Sequence, residues 1–254
     1  MRPFILVHGP LIGPFTWVPV AAELRKLGAT VIIPALNSPA ARQGTFWEHH
    51  CKEFALELRG VSMDTGEAVL VGHSGAGPLL PKLGEQLENG PAAYVLVDSD
   101  LPRDGASRFD LFEDPAHVED FRRIAGQPYS PRGRLTPQPG LQRSDEVVRE
   151  WPGDLLSEAL TQNPDNTLDV ASTVFAGKRP TPIAVLDEPL PVPASWPEAP
   201  VGYLHLSKTY DGPAKAAGSQ GWAVRELRSS HVQMLLEPES FAQELAAFAE
   251  EVAG

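Results

Sequence analysis

Glu67-Ala68-Val69-Leu70-Val71-Gly72-His73-Ser74-Gly75-Ala76-Gly77 begins as an apolar run and closes on a serine set among glycines. A run this short and this apolar predicts a strand buried on both faces. The glycines predict an abrupt end to it, a tight turn carrying Ser74, and then a helix. Strand and helix backbones nearly touch across such a turn, so small residues are needed two positions either side of the serine. Gly72 and Ala76 supply them. A turn of this kind pushes the serine hydroxyl up and out of the sheet, where it can serve as a nucleophile.

Outward from that stretch, strands and helices alternate. Phe4-Ile5-Leu6-Val7 reads as a strand ending at His8-Gly9-Pro10, and Trp17 to Leu27 as a helix stopped by Gly28. Thr30-Val31-Ile32-Ile33 is a second strand, and Phe46 to Arg59 a second helix. Ser74 to Glu88 is predicted to be helical, with Pro78 and Pro81 near its start, where proline is best tolerated. Ala93-Tyr94-Val95-Leu96-Val97 follows as a strand closed by Asp98-Ser99-Asp100. Strands apolar throughout imply a parallel sheet with helices on both sides, an α/β fold. The alternation breaks after Pro102 and resumes at Val201 to Leu206, then Trp222 to Leu227, with a last helix from about Glu239 to Val252. The simplest organisation is a core of residues 1–101 and 200–254 interrupted by a cap at 102–199. Phe109, Leu111, Phe112, Phe121, Trp151, Phe175 and Trp196 would be its apolar residues, some lining a pocket and at least half forming its own small core.

Composition narrows the partners. The chain has 254 residues with a formal charge of −12, and no concentrated basic face of the kind a nucleic acid requires. Its 26 prolines are roughly twice the usual share and cluster between Pro102 and Pro200. Cys51 is the only cysteine, so no internal disulfide forms. His49, His50 and Cys51 are consecutive, and on a helix they point to different faces, which predicts packing rather than a shared metal. Strand-like sequence by Phe4 leaves no room for a signal peptide, and no apolar run approaches a membrane span. The cytoplasm is the default location. Gly72 to Gly77 lacks the Lys-Ser/Thr ending of a nucleotide loop, and no cofactor is expected. The partner is a small-molecule substrate; the oligomeric state is not legible.

In a parallel sheet, functional groups gather at the carboxyl ends of the strands. Here these are His8-Gly9, Ser74, Asp98 with Asp100, the stretch from Ser207 to Asp211, and His231. Serine, acid, histidine is the chain order of one class of serine hydrolases. The chain resembles the α/β-hydrolase superfamily, and within it the compact branch of plant methylesterases, hydroxynitrile lyases and related small bacterial esterases. The resemblance lies in Phe4 to Gly9 followed by Pro14-Phe15-Thr16-Trp17, in Val71 to Gly75, in Val97-Asp98 through Leu101-Pro102, and in Ser230-His231-Val232-Gln233-Met234-Leu235. It says little about residues 103–200.

An unassisted serine hydroxyl is a poor nucleophile, and His231 is the candidate base. The acid that orients the imidazole is open between Asp98, at the end of the strand after the elbow, and Asp211, after the penultimate strand, with a slight lean to Asp98 and with Asp100 behind both. The methylesterase-like pattern puts its carboxylate where Thr209 and Tyr210 stand here. The resemblance implies an oxyanion hole with one donor at the Gly75 N–H and another just after His8-Gly9. That residue is Pro10, which has no N–H, so Leu11 or a neighbour must supply it through a shifted loop. Gly9 and His73 are expected beside the substrate or supporting those that touch it, and His8 is expected to hold its loop. The implied activity is hydrolysis of a small to medium ester or thioester through an acyl-enzyme. The alternatives are a lyase, acyltransferase or cyclase on the same fold, or a ligand-binding receptor.

Overall fold

The structure, a computed structural model, describes residues 1–38, 44–125, 147–148 and 181–254. The main sheet has six strands: β1 (Phe4–Val7), β2 (Val31–Ile32), β3 (Val69–His73), β4 (Ala93–Val97), and, further along, β7 (Val201–His205) and β8 (Ala223–Glu226). They lie in the order β2-β1-β3-β4-β7-β8, and every neighbouring pair is parallel. Between β4 and β7, a separate ribbon pairs β5 (Val147–Val148) antiparallel with β6 (Thr181–Pro182).

Alternate side chains of each strand feed two cores. Phe4, Leu6, Val69, Val71, Val95 and Val97 face α1 (Val18–Lys26) and the C-terminal helix, whose Phe241, Leu245 and Phe248 are fully buried. Ile5, Val7, Leu70, Tyr94, Leu96 and Tyr203 face the other layer, built from α2 (Phe46–Leu58), α3 (Leu80–Gly84) and α6 (Asp211–Ser219). Between α3 and α6 come α4 (Pro115–Ala125) and α5 (Ala184–Asp187); α7 (Gln233–Leu236) and α8 (Pro238–Ala253) end the chain. Cys51 is buried in the second core, its thiol donating to the Lys82 carbonyl at 3.5 Å and pushed up to about 12 by that burial.

Two expectations need correcting. Ser74–Leu79 is a 3₁₀ helix and only Leu80–Gly84 is α-helical, ending short of Glu88. Pro78 and Pro81 lack the N–H groups that a regular α-helix would use there. Trp196 is not above the sheet with the other aromatics; it packs edge-on against Tyr94 at 4.6 Å and against Trp222 at 6.3 Å, in the second core. Trp151 and Phe175 lie outside the described residues. Phe109, Phe112 and Phe121 cluster with Ile183 and Leu186, while an antiparallel bridge joins Ala106 to Leu190.

The strand order positions the site. After β1 the chain moves to β2 on one side, and β3 then pairs on the other, so the loops leaving β1 and β3 part across a crevice at their carboxyl ends. Ligands of open parallel sheets bind at such a switch point.

Candidate functional site

Ser74 leaves β3 with φ of 56°, a left-handed conformation that costs a non-glycine residue about 1–3 kcal/mol and persists only where the surroundings hold it. Tight packing does the holding. A Cβ on Gly72 would stand 2.9 Å from the Leu80 side chain, and one on Gly77 would collide with the Ser99 hydroxyl. The Ser74 carbonyl accepts a hydrogen bond from Ser99 Oγ at 2.5 Å. In a planar trans peptide this carbonyl and the Gly75 N–H point in opposite directions, so Ser99 also aims that N–H.

The turn after β4 supplies three consecutive side chains to this region. Asp98, with φ of 44°, is fully buried. Its Oδ1 accepts the Leu206 and Ser207 N–H groups at 2.9 and 3.0 Å; its Oδ2 accepts Ser207 Oγ at 2.6 Å and His231 Nδ1 at 2.7 Å. Burial alone would raise the Asp98 pKa. The hydrogen bonds from His231 and Ser207 outweigh it and hold the carboxyl below its ordinary value. Ser99 is anchored on both sides by the Tyr203 hydroxyl, which accepts its N–H at 3.0 Å and donates to its carbonyl at 2.8 Å. Asp100 is 7% exposed and lines the same cavity as Ser74 and His231.

His231 stands in the turn before α7. Its carbonyl accepts His73 Nε2 at 2.9 Å, and Val232 and Met234 bury the following turn in the core. Burial and the neighbouring His231 push the His73 pKa down to about 3, so His73 is neutral, and its ring packs 4.5 Å from that of His231. His73 is 1% exposed and does not line the cavity; it buttresses the His231 loop. His8 likewise ties its loop, with Nδ1 donating to the Gly9 carbonyl at 2.8 Å and Nε2 accepting the Leu36 N–H at 3.3 Å.

Ser74, Gly75, His231, Gly9 and Leu11 share one cavity of about 380 Å³, with Phe112, Phe121 and Leu186 among its apolar walls. Pro10 seats its ring against Gly75, where an added Cβ would be 3.0 Å from Pro10 Cδ. Asp211 does not line this cavity. Its side chain is 68% exposed and pairs with His205 Nε2 at 3.1 Å, while the donors that would stabilise a buried carboxylate are gathered on Asp98.

Three residues at the site have no assigned role in the sequence reading. Tyr210 brings its hydroxyl within 3.4 Å of Ser74 Oγ, and its ring stacks on His231 at 5.1 Å with planes 9° apart. Burial, followed by the nearby Asp100 charge, raises its pKa well above the ordinary value, so the hydroxyl keeps its proton. Ser99, between two aspartates, gives no signal beyond a turn. Arg108 is 3% exposed and donates from Nε to the Gly75 carbonyl at 2.6 Å and from Nη1 to that of Val185 at 2.8 Å; nothing in the sequence marks it.

A buried carboxylate tied to an imidazole, beside a serine strained at a strand end, is an arrangement found on the α/β-hydrolase fold, and comparison with known proteins agrees. An extracellular α/β-hydrolase from a Paenibacillus species, described as sharing structural and functional homology with tobacco salicylic acid binding protein 2, superposes with a TM-score of 0.75 at 19% identity over 97% of this chain and 98% of that one. Tomato methylketone synthase I superposes with a TM-score of 0.71 at 16% identity, covering 99% and 98%. In sequence, a carbendazim-hydrolysing esterase from a Nocardioides species is 24% identical over 259 residues, 97% of this chain and 99% of the relative. No protein-family model matches the chain. The fold is that of the α/β-hydrolases. Among the described residues, no helix is long and apolar enough to cross a membrane, and no group of histidine, cysteine and carboxylate side chains is placed to hold a metal.

Proposed function

We propose that the chain is a serine-dependent ester hydrolase in which Ser74 is the nucleophile, His231 the general base and Asp98 the orienting acid. The observation carrying this reading is the 2.7 Å bond between His231 Nδ1 and the buried Asp98, in a cavity shared with the strained Ser74. Asp98 fixes the imidazole tautomer with its proton on Nδ1, so the other ring nitrogen takes the Ser74 proton as Oγ attacks the acyl carbon. The tetrahedral oxyanion is held by the Gly75 N–H, aimed by Ser99, and by the Leu11 N–H one residue past Pro10. Collapse expels the alcohol, which leaves with the proton from His231. Water attacks the acyl-enzyme, again giving its proton to His231, and the acid departs as Ser74 Oγ recovers a proton. Phe112, Phe121 and Leu186, from the described part of the segment between β4 and β7, line the cavity and limit the access of bulk water to these steps.

The similar carbendazim-hydrolysing protein is an esterase, which agrees with this chemistry. The test is labelling with a fluorophosphonate together with turnover of short p-nitrophenyl esters and thioesters. Stoichiometric labelling and turnover, both lost in Ser74→Ala, are expected. Labelling without hydrolysis points to a transferase, lyase or receptor on the same fold, the direction that the missing Pro10 N–H would favour.

A further inference from the structure

We propose that Asp100 is a recognition subsite in the Ser74 cavity for a hydrogen-bond donor, an N–H, carried by the acyl or alcohol part of the substrate. This rests on the ester-hydrolase reading and names the kind of ester selected: one bearing an amide, carbamate or amine nitrogen.

The two aspartates of the same turn make the case by contrast. Asp98 is fully buried and receives four donors. Asp100 is 7% exposed, lines the cavity, and receives no hydrogen bond or ion pair at its carboxyl from any described residue. Its oxygens are not among the buried atoms left without a partner; they open onto the cavity, where a ligand N–H can take the place of water. The neighbouring cation does not satisfy the carboxyl. Arg108 commits Nε to Gly75 and Nη1 to Val185, both backbone carbonyls. Glu113, on the same wall, repels a second negative charge. Burial first and Glu113 next raise the Asp100 carboxyl to about 7, with Arg108 opposing. In either protonation state one of its oxygens can accept an N–H.

Reach and environment fit. Ser74 and Asp100 line the same cavity of about 380 Å³, so one small ester can meet both. Phe112 and Phe121 supply apolar walls that keep water from competing for the carboxyl, which makes a single well-placed acceptor selective.

The test separates binding from turnover. In Ser74→Ala protein, the methyl esters of N-acetylglycine and N-acetylsarcosine, which differ by N–H against N–CH₃, are titrated by ligand-observed NMR, with glycine methyl ester as the ammonium arm. The N–H ester is expected to bind about tenfold tighter than its N-methyl partner, the usual worth of a hydrogen bond to a charged group. Asp100→Leu should bring that ratio close to one. Asp100→Asn, which keeps shape and an acceptor, should retain part of the N–H preference but lose any preference for ammonium, telling a neutral donor from a cation. Equal binding of the two esters, or a ratio untouched by Asp100→Leu in a protein whose circular dichroism is unchanged, overturns the subsite. Failure of the unsubstituted protein to hydrolyse any ester while the N–H preference persists removes the hydrolase reading instead.

Discussion

Two short segments at the carboxyl edge of the sheet each offer a carboxylate: the turn Asp98–Asp100 after β4, and Ser207–Asp211 after β7. They divide the work unequally. The first turn sends Asp98 to the imidazole, Ser99 to the elbow carbonyl and Asp100 into the cavity. In the second, Ser207 gives its N–H and hydroxyl to Asp98, the Tyr210 hydroxyl lies 3.4 Å from Ser74 Oγ, and Asp211 faces solvent. A catalytic carboxylate must be buried and still ionised, and that requires donors. In the proposed assignment, the segment that provides the donors is therefore not the one that provides the acid.

Substitutions along these segments test that division, and the largest effect belongs to Asp98. Asp98→Asn leaves a side chain that no longer enforces the imidazole tautomer, and kcat is expected to fall about 10³–10⁴-fold in steady-state assays. An effect below tenfold would mean that the acid lies elsewhere.

The neighbouring Asp100 should be read in stability instead. Its pKa rises from 3.8 to about 7 on folding, so its contribution is complete below the unfolded value and is lost as pH climbs through that window. Asp100→Asn is expected to raise the melting temperature at pH 8 and hardly at pH 4, corresponding to a difference on the order of a few kcal/mol. The groups facing Asp100 that set this behaviour are Glu113, Arg108, Asp98 and Tyr210. An equal effect at both pH values would show that its burial is not what perturbs it.

Ser99→Ala frees the peptide that presents the Gly75 N–H. Roughly a tenfold fall in kcat with KM little changed is expected, somewhat less than removing an oxyanion donor outright. A change confined to KM would assign Ser99 to the pocket wall.

Asp211→Asn should be nearly silent. Asp211 itself is 68% exposed and its partner His205 also bonds the Ser207 carbonyl, so kcat/KM is expected to stay within about twofold and stability within about 1 kcal/mol.

The strands were readable because each is an unbroken apolar run, and the elbow was readable because Gly72, Ser74 and Ala76 follow one directly. The sequence does not show that the segment after Ser74 divides: Pro78 sits inside the 3₁₀ turns of Ser74–Leu79, and Pro81 stands at the start of a separate short α-helix. The sequence leaves the proposed acid open between two aspartates, for a physical reason. Asp98 and Asp211 both follow strand ends, and what separates them is the set of donors closing on one and not the other, a property of contacts more than 100 positions apart in the chain. Tyr210 was visible as an oddity, standing where a carboxylate is common; its stacking on His231 was not. Arg108 left no trace at all, since a lone arginine in a polar stretch resembles a solvated surface.

The most direct measurement maps a fluorophosphonate adduct by peptide mass spectrometry in three proteins: the unsubstituted chain, Asp98→Asn and Asp211→Asn. An adduct on Ser74 that forms rapidly in the first and third, and orders of magnitude more slowly in the second, is the predicted result. Labelling at another residue, or a rate unaffected by Asp98→Asn, contradicts a nucleophile at Ser74 driven by His231 and Asp98.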